Sequence, residues 1–290
     1  MVEEVRIAVI GGSGLYKMQE LTDKVAYVIP TPYGQPSGEI IVGTLRGKRV
    51  AFLPRHGMGH IYTPTTVPYQ ANIYALKLIG VRFIIGVNAC GSLREDYAPG
   101  HIVIPDQLFD YTNSRARTFF DEGLVGHVGV ADPLCPELCD VLYRAVLKVG
   151  GTVHKGGTFL IEEGPRFATR AESNIFRQWG CSLIGMTTCP EAFLAREAEI
   201  AYATMAHVTD YDVWHHTEEE VSVEMVVNTL RRNLEIAQLA LAAAVELLDE
   251  DADWSCHHAL ENAIMTDRNS IPQAMLEKLR PIVGRYFPES

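Results

Sequence analysis

"EIAYATMAHVTDYDVW", residues 199–214, decides the fold. Between its flanking charges lies a short, almost wholly apolar run. Such a run reads as a strand buried on both faces, the kind found inside an α/β sheet. The run leaves the core on Asp210 and Asp212, with Tyr211 between them. In extended backbone that spacing turns both carboxylates to one side. Like charges side by side repel, so a pair of acids at a strand end calls for something to bind.

Working outward, similar runs recur: "RIAVIGG", "VAFLPRH", "RFIIGVNACG", "HIVIPDQLF", "GTFLIEEGP" and "CSLIGMTT". Helix-period segments lie among them. "YQANIYALKLIG", "PELCDVLYRAVLKVGG" and "RAESNIFRQWG" each close on glycine, at Gly80, Gly150 and Gly180, as helix C-termini do. A longer helix spans about 222–250 with Ser222 as its N-cap. The pattern predicts a single α/β domain over residues 1–290, with a helical tail from about residue 252. Polar and glycine residues follow six of the strand runs, and ligands of α/β sheets gather beyond strand carboxyl ends.

The 290 residues carry 47% hydrophobic and 21% charged side chains, ordinary globular composition. A net charge of −11 argues against nucleic-acid or anionic-membrane partners. No apolar run approaches membrane-spanning length, and "MVEEVRIAVIGG" has acids where a signal peptide has bases, so a cytoplasmic protein is expected. The six cysteines form no C-x-x-C pair; Cys135 and Cys139 alone make no zinc site, and reduced, buried thiols are expected. His215-His216 and His257-His258 lack metal-ligand spacing, so no metal is expected.

"VIGGSGL" lacks the third glycine of a dinucleotide loop. It reads as a tight turn or, through Ser13 and free N–H groups, as a small-anion nest. Arg55-His56 reads as a solvated charge, or as an anion contact through a planar guanidinium fork. In "EEGPRFATRAES", Thr169 and Glu172 fit a capping box, while Phe167 suits either core packing or stacking on an aromatic ligand.

"GGSGL", "PRHGMGH", "YQANIYALK", "NACGSLRED", "EGPRFATRAES", "MTTCPEAFLAREAEI" and "VTDYDVW" occur in this order. Together they resemble the 5′-methylthioadenosine phosphorylases, within the trimeric purine nucleoside phosphorylase superfamily. The resemblance implies a mixed, partly barrel-like sheet flanked by helices. It implies phosphate contacts from Ser13, Arg55, His56, Asn88, Ala89 and Thr187, and a ribose contact from Met186. Phe167 would stack on the purine, which meets Asp210 and Asp212. His60, Val223, Val226 and Val227 would surround the methylthio group, with His127 from a neighbouring subunit of a homotrimer or dimer of trimers. Asn88 stands where some relatives have Thr, and Ala168 where some have Ser.

The chemistry suits the residue types. Phosphorolysis of a ribose–purine bond must hold a phosphate dianion at C1′ and neutralise charge on the leaving base. Asp210, kept protonated by the charge of Asp212, can donate to N7, and ionised Asp212 can accept from the N6 amino group. Inorganic phosphate is the co-substrate and no cofactor is expected. The alternatives are a purine nucleoside or methylthioinosine phosphorylase, and a nucleosidase that uses water.

Overall fold

A computed structural model describes residues 3–12, 14–15, 18–215 and 222–288, and for residues 225 and 230–233 the backbone alone. Eleven strands form one mixed sheet: β1 (Ile7–Gly11), β2 (Thr22–Tyr27), β3 (Ile40–Leu45), β4 (Lys48–Pro54), β5 (Phe83–Ser92), β6 (Ile102–Ile104), β7 (Gln107–Tyr111), β8 (Val153–Lys155), β9 (Thr158–Glu162), β10 (Leu183–Gly185) and β11 (Ala201–Asp210). Among the described residues six α-helices accompany it: α1 (Tyr69–Leu78), α2 (Pro136–Lys148), α3 (Arg170–Gln178), α4 (Thr188–Glu197), α5 (Val223–Leu247) and α6 (Gln273–Val283).

The sheet branches at β5. Its first half pairs in parallel with β1, its last residues pair antiparallel with β10, and β11 lies along it in parallel. From there one arm runs β10-β9-β7 and another β11-β6-β8. The fold class read from the sequence is therefore the one found. β1 and β11 are buried at every residue, which explains their unbroken apolar runs. "HIVIPDQLF" is two strands, β6 and β7, with Pro105 between them; proline has no N–H for a ladder.

The glycine endings hold. Gly80, Gly150 and Gly180 each follow a helix C-cap with positive φ. The capping box is present: Thr169 Oγ1 accepts from the Glu172 N–H, and Glu172 accepts from the Thr169 N–H. Ser222 C=O accepts the Val226 N–H, as an N-cap carbonyl does. Helices α2, α4 and α5 pack on β11, and α6 packs on α1. The tail returns to the body through a bridge between Gly126 and Ile264.

Candidate active site

The two acids are gathered by a turn, not by the extended spacing expected. The β11–β5 register slips between Val208 and Asp210, setting Asp210 opposite Gly91. A Cβ on Gly91 would lie 3.0 Å from Asp210 Oδ1 and 3.2 Å from Asp212 Cβ, so the acids close tightly over β5 and a larger residue there would push on them. Asp212 takes φ +52, a left-handed conformation that aspartate tolerates, and starts a 3-10 turn to Trp214. The Asp212 N–H donates to Asp210 Oδ1 at 2.8 Å, and Trp214 Nε1 donates to Ser92 O at 2.7 Å.

Both carboxyls are buried. Burial raises Asp210 above the usual carboxylate range, while the Thr209 hydroxyl and the Asp212 N–H oppose the shift. Burial pushes Asp212 up to about 6; the nearby Ser173 hydroxyl opposes this and the charge of Asp210 adds to it. The expected cause is thus corrected. Burial, not its neighbour's charge, favours the proton on Asp210, and the like-charge effect falls on Asp212. The Ser173 hydroxyl thus lies beside the Asp212 carboxyl, but without the geometry of a full hydrogen bond, and neither Asp212 Oδ2 nor Ser173 Oγ has another partner among the described residues.

Among the residues expected to hold phosphate, Arg55 is not a free fork. Its Nε and Nη2 donate to Glu191 at 2.7 Å each, Nη1 donates to Val87 O and Nη2 also to Ile10 O. One Nη1 hydrogen remains. The side chains of Arg55 and Glu191 are 3% and 1% exposed, and Tyr202 also donates to Glu191. Burial works against the Arg55 charge, but Glu191 outweighs it and raises the pKa. His56 Nδ1 donates to Tyr62 O at 2.9 Å, which leaves Nε2 with its lone pair outward. Burial first, then the Arg55 charge, lowers His56 to about 4.

Asn88 bridges two hydroxyls: Thr204 donates to its Oδ1 at 2.6 Å, and its Nδ2 donates to Thr187 Oγ1 at 2.7 Å. Thr187 therefore has its own proton to give, at the N-cap of α4. Ala89, between Asn88 and Cys90 on β5, is partly exposed. Ser13 lies outside the described residues, between Gly12 and Gly14. Its neighbourhood is tied in by the Arg55 N–H, which donates to Gly11 O.

Phe167 is half-buried and belongs to no core cluster of described residues, which favours a ligand-facing role over packing. Its loop is held by a hub that sequence reading missed. Arg115 donates to the carbonyls of Glu162, Glu163, Met186 and Cys189 and to the Glu163 carboxylate. Glu163 also accepts from Thr65 and from the Asn113 and Ser114 N–H groups. Burial opposes its charge, but these donors hold it down at about 2. Met186 packs against Gly164, where a Cβ would meet its Sδ at 2.7 Å. Glu162 was missed too: burial, then the Asp212 charge, pushes its carboxyl up to about 8.

The remaining predicted residues lie at the surface. His60, with φ +59, stacks on His56 at 4.2 Å. Val223 and Val227 are exposed and Val226 half-buried on the first turns of α5. His127 is exposed beside the tail, its N–H donating to Ala263 O. These residues do not enclose a methylthio group by burial within this chain.

Two features stand apart from these residues. Cys135 lies near Cys256, not in a pair with Cys139, and with Glu137 they place donor atoms within 4.8 Å of one another; the six thiols are free and buried. A cavity of ≈ 260 Å³ opens at the amino ends of β1, β5 and β11, lined by Arg6, Lys77, Arg82, Glu199, His257 and Arg285 among others. It is at the far end of the strands from the acids. Among the described residues no helix is long and apolar enough to cross a membrane.

A family model described as the phosphorylase superfamily matches residues 6–246. The chain is 54% identical to the S-methyl-5'-thioadenosine phosphorylase of Chloroflexus aurantiacus, over 97% of this chain and 98% of that one. It is similar to the crystal structure of a methylthioadenosine phosphorylase from an antarctic soil metagenomic library. The TM-score there is 0.93, with 48% identity over 97% of this chain and 99% of that one. A mutant of adenosine/methylthioadenosine phosphorylase from Schistosoma mansoni, in complex with methylthioadenosine, matches with TM-score 0.82 and 35% identity, covering 89% of this chain and 96% of that one.

Proposed function

The chain belongs to the phosphorylase superfamily, and we propose that it cleaves S-methyl-5'-thioadenosine with inorganic phosphate, giving adenine and 5-methylthioribose 1-phosphate. One observation carries the reading of the site: two buried acids of raised pKa stand at the end of β11, on the strand beside Asn88 and Thr187. Asp210 donates its proton to purine N7 as the C–N bond breaks. Thr209 can follow that proton. Its one hydroxyl hydrogen faces both Asp210 Oδ2 at 2.6 Å and Cys90 O at 3.2 Å. With Asp210 protonated it turns to Cys90 O; once Asp210 is a carboxylate it turns back and stabilises the charge. Asp212, ionised above about pH 6, accepts from the N6 amino group.

Phosphate sits by the Thr187 hydroxyl, Asn88, the one free Arg55 hydrogen and His56. Neutral His56 presents a lone pair, so it accepts the hydroxyl of monohydrogen phosphate. The reading invokes no cofactor. It includes a homotrimer in which His127 of the next copy, with His60 and the α5 valines, closes the methylthio pocket, and a cytoplasmic setting. The test is adenine release from methylthioadenosine with and without phosphate, followed by light scattering. Equal rates without phosphate would sink the phosphorylase reading, and a fully active monomer would sink the shared pocket.

A further inference from the structure

Strand β9 ends on Glu162, just before the loop that carries Phe167. Side chains alternate along a strand, so Glu162 shares a face with Leu160. Leu160 packs in one cluster with Ile184, Phe176, Ala168 and Trp214, the last residue of the turn that Asp212 begins. Glu162 is 7% exposed, Asp212 5% and Ser173 0%. Among the described residues Asp212 Oδ2 and Ser173 Oγ are wholly buried beside one another without a hydrogen bond of good geometry, while the buried Glu162 carboxyl has the charges of Asp212 and Glu172 for neighbours. Buried polar groups left unpaired oppose folding. These two and the buried Glu162 carboxyl, around one apolar cluster and beside a half-buried phenylalanine, form the wall of a site that a polar ring edge would complete.

We propose that Glu162 is a base-reading residue: its protonated carboxyl donates to ring nitrogen N1 of a 6-aminopurine whose amino group donates to Asp212. This rests on the phosphorolysis reading above and extends it to the other edge of the base. The proton is favoured by burial, then by the charges of Asp212 on the turn and Glu172 on α3, and opposed by Arg166 of the loop, leaving the group near 8. Below that pH Glu162 offers an O–H to N1. Above it, only lone pairs face another lone pair, and the 6-aminopurine is repelled.

The experiment compares wild type, E162Q and E162L by kcat/KM for methylthioadenosine at saturating phosphate from pH 6.5 to 9.5, with adenine Kd measured in parallel. Wild-type kcat/KM should fall roughly tenfold per pH unit above the Glu162 pKa. E162Q, whose amide donates without titrating, should lose that descending limb. E162L should lose about 10–100-fold in kcat/KM at pH 7, carried by KM and adenine Kd, with E162Q recovering part of it. The same descending limb in E162Q, a flat wild-type profile, or wild-type adenine affinity in E162L overturns the assignment. If E162L does not fold, the E162Q profile decides alone. Phosphate-independent adenine release by the wild type is a different failure, that of the parent reading.

Discussion

Strands β5 and β11 run side by side, and their two ends handle buried polarity in opposite ways. At the carboxyl ends, Asp212 Oδ2 and Ser173 Oγ are buried without partners among the described residues. At the amino ends, Glu199 accepts from the Leu260 N–H, the Tyr286 hydroxyl and Arg285. Nearby, Arg82 donates to Asp253 and to His257 Nδ1, while His257 Nε2 donates back to Arg82 O. Both ends carry a strained acid, Asp212 at φ +52 and Glu199 at φ +55. Only one uses its strain to tie the tail to the sheet. The other leaves acceptors open, as a site that meets its partner from solution must.

Substitutions should separate the two ends. The largest effect belongs to the carboxyl end: Asp210→Ala should lower kcat by about 10²–10⁴, the worth of a positioned acid, and, because it strands the Asp212 N–H while removing a buried carboxyl, should cost only about 1–2 kcal/mol of stability. A stopped-time assay beside thermal denaturation reads both; a collapse in Tm would make Asp210 a structural turn residue instead. Glu199→Ala is the mirror case. It strands a buried N–H and a phenol, so it should cost about 2–4 kcal/mol of stability. Its kcat below the melting range should match the wild type, and a lost kcat would erase the contrast between the ends.

Asp212→Asn sharpens the comparison through pH. A carboxyl raised to about 6 by burial contributes its stability below its unfolded pKa and loses it as pH rises through the folded one. The amide avoids that loss. The variant should therefore melt a few degrees above wild type at pH 7.5, by a margin that shrinks toward pH 4, while turning over methylthioadenosine poorly. Equal melting curves at both pH values would mean that the group carries no burial strain.

The smallest effect concerns the middle of β11. His207 has neither ring nitrogen bonded among the described residues, and burial lowers it to about 4. A depressed histidine contributes stability above its unfolded pKa and loses it as pH falls through the folded one. His207→Leu should be neutral to about 1 kcal/mol stabilising at pH 7 and more so near pH 5, measured by denaturant melts. Lower stability at both would reveal a partner for the imidazole.

Much of the sheet and the acid pair could be read in the chain because their signals are local. Apolar runs mark buried strands, a glycine follows each of three helices, and Thr169-x-x-Glu172 caps α3. Other elements left no such mark. β2 is an exposed edge strand with Asp23 and Lys24, and α4 is buried nearly all round, so neither shows a periodic face. The site's scaffolding was hidden by distance: Arg55 meets Glu191 136 positions away, and Arg115 meets Glu163 48 positions away. Arg55 looked free because its acid is on another element. Glu162 and Glu163 are neighbours of one residue type, yet the carboxylate of one is held by Arg115 and the other is buried and feels the charge of Asp212. Composition and periodicity do not tell such twins apart.

The neutralised arginines have a consequence for how the protein meets its substrates. Arg55 is matched by Glu191 and Arg115 by Glu163, so on the proposed reading phosphate would meet oriented O–H and N–H dipoles at Arg55, Asn88 and Thr187 rather than net positive charge. A chain of net charge −11 then has no long-range pull on an incoming dianion. Encounter should be governed by diffusion and fit, and added salt should leave the KM for phosphate almost unmoved. At ~0.15 M ionic strength fields already fade within about 8 Å, and dipoles act only at contact. An enzyme built this way keeps its rate in brackish or concentrated surroundings where an electrostatically steered one slows down.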